Sequence, residues 1–126
     1  MRSRLFLAIV LCLLISSAYS LARTLQNPPP AKQYFIAIFS KGPAWDDTKD
    51  ATAQVGFKEH SDNLRRLRTE KRIPIGGRYG EKGMVIVEAQ NEDEARSLFA
   101  TDVMVAKKTF ALELYQFRPF YKGTLE

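Results

Sequence analysis

The order of strand-like and helix-like patterns between residues 34 and 117 constrains the fold more than any other feature of this chain. Residues 34–39 form a continuous apolar run with aromatic and β-branched side chains, which predicts a buried strand. A polar loop follows, and apolar residues then recur at spacings of three and four, which predicts a helix over residues 53–71. Four side chains form the apolar stripe of that helix: Phe57, His60, Leu64 and Leu67.

The rest of the chain predicts a hairpin, a second helix and a final strand. Residues 73–77 and 83–89 read as two strands, joined by a turn over residues 78–82. The second helix begins after Asn91, whose side chain suits the N-cap, and the acidic residues of its first turn complement the helix dipole. Residues 110–117 alternate roughly as a strand does.

These segments follow the order βαββαβ, which predicts an α+β fold of the ferredoxin-like type. In that fold the strands form one antiparallel sheet in the order 4-1-3-2, and both helices cover the same face. The first and third strands are apolar on both faces, as residues 36–38 and 85–87 show. The face opposite the helices therefore needs a cover as well. A second copy of the chain is the simplest one, so we expect a homodimer with the two sheets face to face.

His60 is the only histidine, and imidazole is the side chain that most readily exchanges protons near neutral pH. The predicted topology brings the start of the first helix and the end of the second to one end of the sheet, so Asp102 should lie near His60. A carboxylate beside an imidazole fixes its tautomer and favours its protonated form. The alternative is a histidine that only packs on an amphipathic helix. One histidine and one cysteine, Cys12, exclude a metal site built from several such ligands.

Other candidate residues fall at the same end of the sheet. Trp45, the only tryptophan, would line a pocket or anchor its loop, and Gly77 would allow close backbone approach or simply end a strand. Arg78 and Tyr79 would shape the pocket. Four basic residues favour an anionic small molecule, or are solvated surface charges: Arg78, Lys82, Lys107 and Lys108. The net charge is only +5 and no dense basic stripe alternates with aromatics, so we expect no nucleic-acid partner.

The N-terminus has the pattern of a secretory signal peptide. Arg2 and Arg4 precede an apolar run at residues 5–15, and small and polar residues follow. The run is shorter than the roughly 20 apolar residues of a transmembrane helix. We therefore expect export, to the periplasm or as a secreted protein, rather than an uncleaved membrane anchor. The chain then divides into a signal peptide (1–22), a proline-rich linker (23–32), one domain (33–121) and a tail (122–126).

Taken in order, these residues resemble the YCII-related family. The resemblance rests on residues 34–39 with the Gly-Pro-Ala-Trp loop at 42–45, on His60, on the glycine pair at 76–77 and on Asp102, and it covers about residues 33–121. It implies a dimeric α/β barrel of two ferredoxin-like subunits, with the His60–Asp102 pair as active site and no metal. One relative is a dehydrochlorinase of a substituted hydroquinone, and the wider superfamily includes muconolactone isomerases and small monooxygenases.

The sequence departs from the family pattern at three positions. Val103 stands where a proline usually follows the acid, Lys71 replaces a glycine that ends the first helix, and Phe120 replaces a final tryptophan. We expect an exported homodimer in which His60 acts as general acid and base and Asp102 orients it, in a lyase or isomerase reaction on a small organic molecule without a cofactor. The alternatives are a non-catalytic small-molecule-binding protein and a structural homodimeric domain.

Overall fold

The computed structural model describes residues 31–123. The predicted signal peptide, residues 1–22, lies outside the described residues, as do the linker up to residue 30 and the last three residues of the tail. Within the described part of the chain, no helix has both the length and the apolar character that crossing a membrane requires.

The described chain forms strands and helices in nearly the predicted order. They are β1 (Gln33–Lys41), α1 (Phe57–Thr69), β2 (Ile75–Tyr79), β3 (Lys82–Ala89), α2 (Glu92–Ala100), α3 (Val103–Ala106) and β4 (Phe110–Phe117). A short 3₁₀ turn, Ala51–Ala53, lies in the loop before α1. The single turn of α3 was expected to be part of a loop, and α1 begins four residues later than the apolar stripe predicted.

The four strands form one antiparallel sheet in the order β2-β3-β1-β4, which is the predicted order read from the other edge. The central strand β1 pairs with β3 and β4, so that Ala37 lies opposite both Val85 and Leu114. The fold is α+β and compatible with the ferredoxin-like arrangement.

The turn between β2 and β3 is shorter than predicted. Strand β2 continues to Tyr79, which pairs with Lys82, so that only Gly80 and Glu81 remain as the turn. Gly80 makes this tight turn possible because it adopts a left-handed backbone conformation, with φ of 54°. Arg78 and Tyr79 are therefore consecutive strand residues, and their side chains lie on opposite faces of the sheet.

The core lies between one face of the sheet and the helices. Phe35, Ala37 and Phe39 alternate along β1 and are buried, and Val85 and Leu114, the partners of Ala37 on β3 and β4, are buried on the same face. The helices contribute Leu67 from α1 and Phe99 from α2, both fully buried. This packing fixes the side of each helix that faces the sheet, and with it the orientation of His60 on α1.

The opposite face of the sheet is apolar and has no cover among the described residues. Its side chains are adjacent across the strands, since Ile36 lies opposite both Ile86 and Tyr115. Tyr115 is 54% exposed, and Ile75 and Phe117 are each 37% exposed. The homodimer expected from the sequence would cover this face.

Candidate functional site

His60 is placed by the way in which α1 begins. Gly56 is the N-cap residue and has φ of 89°, a conformation that favours glycine. A Cβ atom there would also lie 2.8 Å from Cγ1 of Val103, so that only glycine lets the start of α1 approach α3 this closely. The backbone N–H of His60 donates to the carbonyl oxygen of Gly56 at 2.9 Å. The imidazole therefore stands one turn into α1, beside α3.

His60 and Asp102 form a buried pair. Nδ1 of His60 lies 2.8 Å from Oδ2 of Asp102, and the two side chains are 7% and 0% exposed. The residues are 42 positions apart in sequence, and the predicted topology placed them at the same end of the sheet. The structure therefore brings together the two residues that the sequence proposed as a pair.

Asp102 is held in place by both of its carboxylate oxygens. Oδ1 accepts hydrogen bonds from the backbone N–H groups of Met104 and Val105, which makes Asp102 the N-cap of α3. This cap fixes the acid although the residue after it, Val103, is not a proline. Burial alone would raise the pKa of Asp102, but the hydrogen bonds and charge at this carboxylate outweigh burial and lower its pKa. The side chain is therefore a carboxylate at neutral pH.

Asn63 belongs to the same network, although the sequence analysis did not select it. Its Nδ2 donates to Oδ2 of Asp102 at 3.2 Å and to the carbonyl oxygen of Leu98 at 3.4 Å. Its Oδ1 accepts from Arg66 at 2.9 Å, which fixes the orientation of the amide. Asn63 follows His60 by three residues, and this spacing on a helix is the signal that could have identified it.

The imidazole of His60 is surrounded by aromatic rings. Phe39 and Phe110 approach it edge to face, with ring centroids 5.0 and 5.1 Å away, and Phe57 lies at 6.5 Å. Nε2 of His60 has no hydrogen-bond partner among the described residues. No fully buried side-chain nitrogen or oxygen in that part of the chain lacks a partner, and the side chain of His60 is 7% exposed.

A cavity of about 770 Å³ lies beside the imidazole. It extends between α1, the hairpin of β2 and β3, and the loop that follows β1. Its wall near His60 is mostly apolar and includes Phe39, Trp45, Phe57, Leu64, Ile73 and Phe110. A cavity of this size accommodates a small organic molecule.

The structure brings most of the predicted site residues to this cavity. Trp45, Gly77 and Arg78 line it together with His60, while Asp102 lies behind the imidazole. Tyr79 does not line the cavity, because β2 continues through it and its side chain belongs to the opposite face of the sheet, where it is 45% exposed. Three predicted basic residues are also absent from the wall: Lys82, Lys107 and Lys108.

The loop that carries Trp45 is fixed against the segment before β4. A Cβ atom at Gly42 would lie 2.2 Å from the carbonyl oxygen of Lys108, so glycine is required for this close contact. The N–H groups of Gly42 and Ala44 donate to the carbonyl oxygens of Thr109 and Lys108, at 2.9 and 3.0 Å. The indole of Trp45 stacks on Phe110 at a centroid distance of 5.7 Å. Trp45 is thus a fixed part of the wall.

Metal ligands are not clustered in this region. Between residues 31 and 123, no group of three or more His, Cys, Asp or Glu side chains is arranged to hold a metal ion. A scan against protein-family models, a search of curated proteins and a search of solved structures each found no match to this chain. The YCII-related resemblance therefore stays a prediction from the sequence.

Proposed function

We propose that this protein is an acid/base catalyst that acts on a small organic molecule in the cavity beside His60. One observation carries the proposal: Nδ1 of His60 lies 2.8 Å from the buried carboxylate of Asp102, while the imidazole also lines the cavity. The carboxylate and Nε2 are on opposite sides of one ring. This is the arrangement by which a carboxylate orients a histidine that transfers protons.

The geometry supports a definite order of proton transfers. Because Asp102 is ionised, it accepts a hydrogen bond from Nδ1–H of His60, which leaves the lone pair of the neutral ring on Nε2. Nε2 then removes a proton from the substrate, and the Asp102 carboxylate stabilises the resulting imidazolium. If Nε2–H returns the proton to a different substrate atom, the reaction is an isomerisation. If instead the electron pair of the broken C–H bond forms a C=C bond while a neighbouring group leaves with the electron pair of its own bond to carbon, the reaction is an elimination, and the proton passes to the leaving group or to solvent.

We also propose membership of the YCII-related family on the same residues. Its implied active-site pair matches His60 and Asp102, and its Gly-Pro-Ala-Trp loop corresponds to residues 42–45, which place Trp45 in the cavity wall. This resemblance favours lyase or isomerase chemistry on small molecules that are derived from aromatic compounds.

The test is a turnover screen with matched variants. Chlorinated hydroquinones, muconolactones and related enolisable acids are incubated in D₂O with wild type, with His60→Ala and with Asp102→Asn, and products and deuterium incorporation are followed by NMR. We expect turnover of at least one compound, reduced about 10²- to 10⁴-fold in His60→Ala. Asp93→Asn, an exposed acid in the first turn of α2, is the control and keeps full activity. Equal turnover by wild type and His60→Ala ends the catalytic proposal.

A binding protein without chemistry is the second candidate. The stacked pair of Trp45 and Phe110 favours it, because an aromatic wall holds a flat ligand without any proton transfer. A ligand that binds saturably, is recovered unchanged and is lost in Trp45→Ala supports this function. The binding function is established if wild type shows no turnover and His60→Ala still binds the ligand.

The quaternary structure and the location are proposals of the same kind. The apolar face of the sheet that the described residues leave without a cover supports a homodimer in which two sheets pack face to face as a dimeric α/β barrel. The pattern of residues 1–22 supports export to the periplasm or the medium. The mass of the protein recovered from the expressing cell tests the second point, because cleavage after Ser20 or Ala22 removes a defined segment.

A further inference from the structure

Basic side chains outnumber acidic side chains in the wall of the cavity. Five basic and three acidic residues line it, an excess of two positive charges. The basic residues are Lys41, Lys49, Arg65, Arg68 and Arg78, and the acidic residues are Asp47, Asp50 and Glu81. The rim of the apolar surface around His60 therefore offers several basic side chains, and their pairing decides which of them are available to an anion.

Three of the five basic residues have acidic partners. Lys41 forms an ion pair with Asp47 at 3.1 Å. The hydrogen bond to Asp47 is the main reason that the pKa of Lys41 is raised, and the charge of Glu81 raises it further. Two further ion pairs have distances of 2.8 Å: Lys49 with Asp46, and Arg65 with Asp62. The positive charges of these three residues are therefore largely balanced within the protein.

Arg68 and Arg78 differ from them. Neither guanidinium lies within 4.0 Å of a carboxylate of the described residues. Two acids of the rim, Asp50 and Glu81, likewise have no basic group of the described residues within that distance. Arg68 comes from the last turn of α1, and Arg78 from the face of β2 that also carries Gly76 and lies toward the helices. Two elements thus each bring one arginine to the same cavity, and an arginine fork matches the two oxygens of a carboxylate.

We propose that the cavity binds a small planar acid, with its ring or conjugated chain against Trp45 and Phe110 and its carboxylate on Arg68 and Arg78. The inference rests on the proposed function in taking His60 as the group that reacts with the bound acid. The binding step itself needs neither His60 nor Asp102. Substrate class and proton transfer therefore depend on different residues of one cavity and can be tested separately.

The fluorescence of Trp45, the only tryptophan, reports binding directly, and calorimetry provides a second measurement. The probes are benzoate, its neutral analogue benzamide, and acetate, which has the charge without the ring. We expect benzoate to bind at least about tenfold more tightly than either analogue, because it alone combines both contacts. Equal affinities for benzoate and benzamide, or no binding of benzoate, overturn the proposal.

Variants assign the carboxylate to its residues. Arg68→Gln and Arg78→Gln each weaken benzoate binding about tenfold or more and leave benzamide binding unchanged. Arg118→Gln removes the same charge from an exposed residue outside the cavity and leaves both unchanged. His60→Ala keeps benzoate binding within about threefold, so that a failure of catalysis is distinguished from a failure of the acid site. If Arg118→Gln weakens benzoate as much as Arg78→Gln does, the effect is net charge alone and the assignment is wrong.

Discussion

His60 and Asn63 donate to the same oxygen atom. Nδ1 of His60 lies 2.8 Å from Oδ2 of Asp102, and Nδ2 of Asn63 lies 3.2 Å from it. The two donors are on consecutive turns of one face of α1, so the helix holds the carboxylate in position as well as the imidazole. The other carboxylate oxygen of Asp102 caps α3 by accepting hydrogen bonds from the first backbone N–H groups of that helix. Apart from His60, the groups that orient the acid do not line the cavity.

Asn63→Ala tests this positioning role. The variant removes one of the donors to Asp102, and we expect a loss of about 1 kcal/mol in the free energy of unfolding, measured in urea. The single histidine allows a sharper measurement, because a two-bond ¹H–¹⁵N spectrum of the protein without a histidine tag contains one imidazole. Wild type should show the neutral ring protonated on Nδ1, and Asn63→Ala a mixture of tautomers. An unchanged spectrum would mean that Asn63 contributes to stability only.

The pH dependence of stability should contain a contribution from Asp102. Its pKa is lower in the folded protein than in the unfolded chain, where it is about 3.9. At pH values between these two pKa values, the unfolded chain therefore binds more protons than the folded protein does. The ionised carboxylate therefore stabilises the fold fully above the unfolded value, and this stabilisation is lost as the pH falls through the folded value.

Asp102→Asn isolates that contribution because asparagine is also a good N-cap residue, so that α3 keeps its cap. Urea unfolding of both proteins from about pH 7 to pH 2 should show wild type as the more stable at neutral pH and a difference that shrinks on acidification. Acids away from this pair, such as Asp46, whose pKa the hydrogen bonds to Lys49 and Thr48 lower to about 2, contribute equally to both proteins. A difference that is constant with pH would contradict the assignment.

Gly56→Ala should destabilise the protein and separate the pair. An alanine held at this positive φ lowers the free energy of unfolding by about 1 kcal/mol, and the close approach of its Cβ atom to Val103 lowers it further. We expect a loss of about 2 kcal/mol or more in urea unfolding. Gly83→Ala is the control, because a Cβ atom there meets no atom within 4 Å. Equal stabilities of the two variants would show that α1 begins without this constraint.

The proposed homodimer predicts the sedimentation behaviour. Wild type should sediment with twice the mass of the chain, and Tyr115→Arg, which places a charge on the edge strand β4 of the apolar sheet face, should be a monomer. Tyr121→Arg introduces the same change at a side chain that is 93% exposed and lies after the end of β4, outside the sheet, and should leave the dimer intact. A monomeric wild type at about 100 μM would end the proposal.

The sequence predicted the elements and the proximity of His60 and Asp102 because both depend on long patterns. Strand order follows from connectivity, and a helix stripe is set by several residues at once. Details that depend on one residue were missed. The hairpin turn was placed at Arg78 rather than at Gly80, and such a shift changes which side chain faces the cavity. For this reason Tyr79 was expected at the site and lies on the other face.

Asn63 and α3 were missed for a different reason. A four-residue helix gives no periodicity, so Asp102 was predicted to lie at the start of a loop instead of capping a helix. Asn63 looks like an ordinary exposed polar residue until the position of Asp102 is known. The basic rim also depends on pairing, since the sequence shows where arginines are but not which of them have carboxylate partners.

The contact between Gly56 and Val103 has a consequence for changing this protein by design. Gly56 precedes His60 and Val103 follows Asp102, and the two residues are so near each other that a Cβ atom on Gly56 would lie 2.8 Å from Cγ1 of Val103. A larger or smaller side chain at position 103 would therefore move the imidazole relative to the carboxylate without altering any residue of the cavity wall. Substitutions at position 103 should therefore change the distance between Nδ1 of His60 and the carboxylate of Asp102, although position 103 lies outside the cavity wall.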